Sequence, residues 1–222
     1  VKRVFDLLRA HIVELADEVE FNFIKRLGRF IDRITGRMVP ESRVEETASR
    51  ITDELGQRVE RITQRFIDGD ISVDKWQAQM RQELKDGYLT NAMLGRGGKN
   101  AMTQADYGRM GGKLNFEYRK LDDFARAIKT DNLTPAQIQA RAHLYANGAT
   151  QAYYDGLTVL KKDAGFVEER RVLDPAAHNC DDCISYAGRG WVPIGTLPSP
   201  GAECRCHHNC KCRKEYRRRG EE

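Results

Sequence analysis

All six cysteines of the 222-residue chain lie between Cys180 and Cys212. They form Cys180-Asp181-Asp182-Cys183, then 20 residues, then Cys204-Arg205-Cys206-His207-His208-Asn209-Cys210-Lys211-Cys212. A disulfide framework staples the whole of a small secreted domain. Cysteines gathered at one end of a long chain point instead to a metal. A Cys-x-x-Cys turn lets two thiolates face one ion, and a second pair across a hairpin completes a tetrahedron, as in ribbon-type zinc sites. Thiolate and imidazole donors favour zinc among the available metals. The second half of the pattern carries more donors than one zinc needs. The spacing selects Cys180, Cys183, Cys206 and Cys210, with Cys204, His207 and Cys212 as alternates; disulfides or free thiols are the competing reading. His178 reads as a surface or supporting residue. Trp191, Val192, Ile194 and Leu197 are the apolar residues expected to cover the site.

A catalytic zinc keeps an open position and a general base beside it. Here the cysteines already exceed four, and the chain has neither a His-x-Glu nor a His-Glu-x-x-His element. Asp181 and Asp182 fall inside the chelating turn and are expected to point to solvent. His11 and His143 sit on expected helices without a partner pattern. The expectation is a structural ion and no enzymatic activity. Gly95-Arg96-Gly97-Gly98-Lys99 superficially resembles a phosphate-binding loop, but it lacks the first glycine at the required spacing and has Asn100 after the lysine. It reads as a flexible connection.

The elements ahead of the cysteines read as helices. Val4, Leu8, Ile12, Leu15, Val19, Phe23, Leu27, Phe30 and Ile34 follow steps of four and three, one face of a single long helix. A second helix is expected from Glu41 to Asp68, with Val44, Ala48, Ile51, Leu55, Val59, Ile62 and Phe66 on its stripe. A third starts after Ser72 as N-cap and reaches Leu94. A fourth opens at Thr103 with Asp106 three residues on, and Gly111-Gly112 inside it marks a break or a close helix crossing. Thr134-Pro135-Ala136-Gln137 can form a capping box with proline in the first turn, opening a helix to about Leu160. Tyr145, Tyr153 and Tyr154 read as core. After Gly165, residues 168–173 and 190–194 suit two short strands between turn formers. The chain therefore divides into an N-terminal helical pair (1–69), a central helical region (70–163) and a C-terminal zinc-binding module with a basic tail (164–222). The fold class is mainly α: long amphipathic helices in a bundle with a small α/β or β-hairpin metal module. That module is too small and polar to stand on core burial, and a metal is a common remedy at that size.

Hydrophobic residues make up 40% and charged residues 32% of the chain. That is too apolar for a disordered chain and too charged for a membrane protein. No run approaches the ~20 apolar residues needed to span a bilayer. The start, Val1-Lys2-Arg3-Val4-Phe5-Asp6, lacks signal-peptide features, which predicts folding in a reducing cytoplasm. The net charge is +4, and the stretch from Glu203 to Glu222 holds seven Lys/Arg against four Asp/Glu. Arg213, Lys214, Arg217, Arg218 and Arg219, with Tyr216 available to stack, form a candidate nucleic-acid contact beside the metal module. The plainer reading of the same residues is a solvated end.

Cys180-x-x-Cys183, then Gly190-Trp191-Val192-Pro193-Ile194-Gly195 and Leu197-Pro198, then Cys206-x-x-Asn209-Cys210-Lys211-Cys212, resembles the C-terminal module of the phage Mu F-like head morphogenesis proteins. These are minor head proteins of tailed bacteriophages. Their usual ending, His-Pro-x-Cys-Arg-Cys, is matched by His207-His208-Asn209-Cys210-Lys211-Cys212 with histidine for proline and lysine for arginine. Arg141-Ala142-x-x-Tyr145-Ala146 and the segment from Gly95 to Tyr107 also look like the family. The resemblance covers residues 134–216 most specifically and 70–133 more weakly, and does not reach the first 68. It implies a virion component near the portal, assembled in the host bacterial cytoplasm and acting in head morphogenesis or genome delivery. Its partners would be the portal or major capsid protein, and packaged DNA is a further contact. A stand-alone zinc-ribbon nucleic-acid-binding module is the alternative.

Overall fold

The computed structural model describes residues 21–206 and 210–220. The stretch from Val4 to Val19 of the expected first helix, with His11, lies outside the described residues, and so does His207. The rest of that stripe is not helical. It forms an antiparallel meander of β1 (Phe21–Ile24), β2 (Arg29–Asp32) and β3 (Met38–Val39). Short apolar runs fit a period of two as well as one of 3.6, and local turn chemistry arbitrates. Gly28 turns the chain between β1 and β2 at φ 66°. The Asp32 carboxylate accepts from the backbone N–H groups of Ile34 and Thr35 at 2.9 and 2.6 Å, closing the next turn. Phe23 and Phe30 are register partners with rings edge-to-face at 5.0 Å. Leu27 and Ile34, members of the helical stripe, face water.

Five helices follow: α1 (Glu41–Ile67), α2 (Val73–Gly95), α3 (Gln104–Thr130), α4 (Pro135–His143) and α5 (Gly148–Asp163). Their starts obey the capping chemistry. The Ser72 hydroxyl accepts from the Lys75 N–H at 3.3 Å, and Thr103–Asp106 and Thr134–Gln137 both close capping boxes. Gly111 and Gly112 neither break α3 nor mark a crossing, since no atom lies within 4 Å of the place a Cβ would occupy on either. The helix expected from Thr134 to Leu160 is interrupted by a 3-10 turn at Leu144–Asn147. There the Tyr88 hydroxyl donates to the Tyr145 carbonyl at 2.9 Å. The Gly148 backbone approaches so closely that a Cβ would meet that hydroxyl at 1.7 Å.

Helix α2 is the centre of the bundle, buried on every side from Gly87 to Gly95. Its C-terminal half crosses α5 backbone to backbone. A Cβ on Gly95 would lie 2.0 Å from the Tyr153 carbonyl oxygen, and one on Gly156 would lie 2.8 Å from that of Ala92. Phe66, Trp76, Phe124 and Tyr145 make a row of aromatic contacts at 5.7, 5.4 and 6.2 Å across the bundle. The buried Trp76 indole donates to the Thr63 hydroxyl at 3.1 Å, so its polar edge is satisfied. The glycine-rich stretch after α2 is a packed joint rather than a flexible connection. Gly97 and Gly98 adopt φ of 82° and 107°. The Phe23 N–H donates to the Gly97 carbonyl at 3.1 Å, tying β1 to the end of α2. Arg96, just before them, is buried, its guanidinium shared by Asp106 at 3.1 Å, Asp163 at 3.0 Å and the Ala101 carbonyl at 3.2 Å.

The last element group is β4 (Glu168–Val172), α6 (Asp181–Gly188), β5 (Val192–Pro193) and β6 (Arg213–Arg217). Its sheet is antiparallel in the order β5-β4-β6. The molecule is thus mainly helical, with a small C-terminal sheet region that contains the cysteine cluster. Among the described residues no helix is long and apolar enough to cross a membrane. The Gly95–Gly156 crossing leaves no room for a methyl group against backbone. Gly95→Ala is expected to push α2 and α5 apart and destabilise the bundle by about 2–3 kcal/mol. Urea denaturation followed by Trp76 fluorescence reads this out, and Gly112→Ala, on an open helix face, should be neutral or slightly stabilising.

Candidate metal centre

Three elements carry the cysteines to one place. Cys180 is the N-cap residue of α6 in extended conformation, and Cys183 sits in the helix's first turn, so the Cys-x-x-Cys pair is a helix start and not a free turn. Helix α6 then holds the incoming loop. The Tyr186 hydroxyl donates to the Glu203 carbonyl at 3.0 Å, and the Asp182 carboxylate accepts from the Arg205 N–H at 2.9 Å. Asp182 therefore serves the loop instead of facing solvent, while Asp181 stays exposed beside the Arg205 side chain at 3.2 Å. Further back, Ser199 donates to Asp155 at 2.7 Å and Gln151 to the Gly201 carbonyl at 3.2 Å, fixing this loop to α5. The last pair arrives with β6. Its register sets Arg213 opposite Val172 on β4, which brings Cys210 and Cys212 in beside Leu173.

The six sulfurs form one cluster. Cys206 Sγ lies 3.4 Å from both Cys180 and Cys183 and 3.5 Å from Cys204. Cys183 Sγ lies 3.7 Å from Cys210. These separations are far longer than the ~2.05 Å of a disulfide. They lie near the ~3.8 Å edge of a tetrahedron built on zinc–sulfur bonds of ~2.3 Å. The cysteine cluster could hold a metal ion, and its donor atoms fall into two sets, each with every pair within 4.8 Å: Cys180, Cys183, Cys204 and Cys206, and Cys183, Cys210 and Cys212. Sequence spacing had placed Cys210 with Cys180, Cys183 and Cys206. In the fold Cys204 completes that four-sulfur set and Cys210 joins the second one. Asp182 and Tyr186 hold residues 203–206 against α6, where Cys204 and Cys206 lie beside Cys180 and Cys183.

The surroundings set the protonation of the thiols. Burial raises the Cys180 thiol, but the backbone N–H groups of Cys183 and Cys206 and the neighbouring thiols outweigh it and bring it down to about 7. Burial and adjacent thiols hold Cys183, Cys206 and Cys212 high. At Cys210 burial again pushes upward, and donation from the Cys212 backbone and surrounding thiols overcomes it, leaving a lowered pKa. Two side chains that spacing did not single out also face the cluster. Asn179 accepts from the Cys212 thiol at 3.6 Å and donates to the Asp174 and Ala177 carbonyls. Arg171, 2% exposed, places its guanidinium 4.0 Å from Cys210 Sγ. The only sequence sign of Arg171 is its alternation with Glu169 on one face of β4. His178 is exposed, as expected. The apolar neighbours of the sulfurs are Leu173 and Tyr186, not the expected Trp191, Val192, Ile194 and Leu197. Trp191 instead lies between the guanidinium groups of Arg170 and Arg217, at 4.7 and 4.6 Å from its ring centre.

The five basic residues expected as a nucleic-acid contact are largely consumed by the fold. Lys214 is buried, 3.0 Å from the fully buried Glu169 carboxylate, and it donates to the Leu197 carbonyl at 2.7 Å. The other Glu169 oxygen accepts from the Leu197 N–H at 2.7 Å. Arg217 pairs with Glu168 at 2.7 Å, Arg213 with Glu215 at 3.2 Å, and Arg218 donates to the Lys25 and Ala164 carbonyls, each at 3.2 Å. Tyr216 does not stand out to stack on a base, since its hydroxyl bonds that of Thr158 at 3.1 Å. Of the five, Arg213 at the start of the strand and Arg219 just beyond it are exposed. For Lys214 and Arg217 the physical reason is pairing across β4 and β6. A sequence that reads as a charged end supplies one strand of a ladder whose partner carries the complementary charges.

Because Cys183 belongs to both sulfur sets, Cys183→Ser is expected to abolish metal retention and free residues beyond about 174 to trypsin, while the helical bundle keeps its far-UV signal. Cys212→Ser should retain metal, with limited proteolysis and elemental analysis as the checks. Lys214→Met leaves the Glu169 carboxylate buried without a counter-charge and should cost about 3–5 kcal/mol in urea unfolding. The double variant Lys214→Met/Glu169→Leu should recover most of that loss. No protein-family model, curated protein or solved structure matches the chain.

Proposed function

We propose that the chain is a minor head protein of a tailed bacteriophage, in which the C-terminal cysteine cluster binds zinc as a structural ion. The observation that carries the zinc reading is the four-sulfur set with tetrahedral edges, assembled from a helix start and a loop that the helix itself grips. A sulfur-only donor set at these separations suits Zn2+. Four thiolates fill its coordination, so the ion serves folding rather than catalysis. In a module of this size, metal binding is folding energy.

The viral reading is supported by the order of motifs along the module. The Cys-x-x-Cys pair, the Gly-Trp-Val-Pro-Ile-Gly segment and the Asn-Cys-Lys-Cys ending follow one another as in the Mu F-like head morphogenesis proteins. The protein would act in head assembly or at the portal vertex during packaging and delivery, in contact with the portal or major capsid protein. Leu27, Ile34 and Met38 are exposed on the β1–β3 meander and supply apolar surface for such a neighbour. The virion is then its location, after assembly in the bacterial cytoplasm. Packaged DNA remains a secondary contact, and the pairing of the basic residues within the sheet weighs against a dedicated nucleic-acid-binding module.

Two measurements test this. A tagged full chain, followed by gradient sedimentation of particles from producing cells, should migrate in low copy with heads and portal. Recovery solely as free chain at every stage of assembly overturns the viral assignment. Separately, protein purified under reducing conditions without added metal should contain zinc, and cobalt substitution should give an intense sulfur-to-cobalt charge-transfer band. Iron, or no metal, removes the zinc assignment.

A further inference from the structure

We infer that the cysteine cluster holds two metal ions, bridged by the Cys183 thiolate. The inference rests on the structural-zinc reading and deepens it. The first ion takes Cys180, Cys183, Cys204 and Cys206, and the second takes Cys183, Cys210 and Cys212. Cys183 is the one donor common to both sets, and it sits at the geometric junction, 3.4 Å from Cys206 on one side and 3.7 Å from Cys210 on the other. Two four-coordinate ions sharing two sulfurs require six donors. The chain has six cysteines, all inside this cluster, and Cys206 beside Cys183 is the second sulfur available for sharing. A single ion would leave Cys210 and Cys212 as idle thiols packed against a metal-bound sulfur.

An independent observation points to negative charge on the second set. Arg171 is 2% exposed, and no carboxylate pairs with it among the described residues. A buried guanidinium without a counter-charge is strongly unfavourable. Its Nε has no hydrogen-bond partner, one terminal nitrogen donates to the Pro198 carbonyl, and the other points at Cys210 Sγ at 4.0 Å. The anion it faces is the sulfur cluster on the Cys210 side. Six thiolates on two divalent cations carry a net charge of −2, which a nearby guanidinium partly offsets.

The test is native mass spectrometry and elemental analysis of the full chain, purified under reducing conditions with zinc in the medium. Two zinc ions per chain are expected. One ion per chain overturns the two-metal inference while leaving the structural-zinc reading intact, and no ion overturns both. On protein exchanged with cadmium-113, two metal resonances should both correlate with the Cys183 β-protons. Two resonances without a shared Cys183 correlation overturn the bridge. The variant Cys210→Ser/Cys212→Ser should keep one ion and lose the second, and a variant that still holds two overturns the assignment of the second set. Arg171→Met should lower the retention of the second ion at least tenfold in chelator competition relative to the first. Equal retention of both ions would remove the role given to the guanidinium.

Discussion

The C-terminal module depends on bringing six sulfur atoms into mutual contact without bonding them to one another. Thiols at such separations compete for the same protons. Burial and neighbouring thiols push Cys183 and Cys206 up, while backbone N–H groups and neighbouring thiols overcome burial to bring Cys180 and Cys210 down. Thiolates at the same separations repel unless a cation sits among them. Each local device around the cluster brings the donors closer: the helix start at Cys180, the Asp182 carboxylate on the Arg205 backbone, the Tyr186 hydroxyl on Glu203, and the β4–β6 register that delivers Cys212. Their convergence assembles a donor set that could hold a metal ion, with the Arg171 guanidinium beside Cys210.

The module is anchored to the bundle through polar groups more than through a continuous apolar core. The inner face of its sheet carries Glu169, Arg171, Lys214 and Tyr216, and each of these side chains has a specific partner. Lys161 of α5 is buried at the same seam. It pairs with Glu41 at the start of α1 and lies near the rings of Phe23, Phe166 and Tyr216 at 5.5, 4.7 and 5.6 Å. A single ammonium group thus touches the N-terminal meander, the first helix and the C-terminal sheet. Buried pairs of this kind contribute little net stability compared with apolar packing, but they are costly to break and tolerate few alternative arrangements. They bind the small module to one orientation on the helices.

The helical part is held differently. Its aromatic row and its glycine-mediated crossing are close-packed, and their tolerance for change is set by sterics. The interruption at Leu144–Asn147 belongs to the same logic, because a tyrosine hydroxyl and a glycine backbone occupy one space. The result is a close-packed helical platform beneath a module built around the cysteine cluster.

Much of this was legible in the residues alone. The ends of α1 and α2, the capping boxes at Thr103 and Thr134, the strands near residues 168 and 192 and the gathering of the cysteines all follow from local chemistry that acts over a few residues. What required the tertiary structure was every choice in which local pattern allowed two answers. Residues 21–39 fit a helical stripe and a meander equally well, and the Gly97–Gly98 backbone receiving β1 selected the second. Arg213-Lys214-Glu215-Tyr216-Arg217 reads as a solvated end until β4 presents Glu168 and Glu169 to it. Among the cysteines, spacing determined that a cluster would form. Which sulfurs share a set emerged only with a loop some twenty residues away docked on α6, its Arg205 N–H donating to Asp182 and its Glu203 carbonyl accepting from Tyr186, because ligand grouping depends on distances through space that chain separation does not encode.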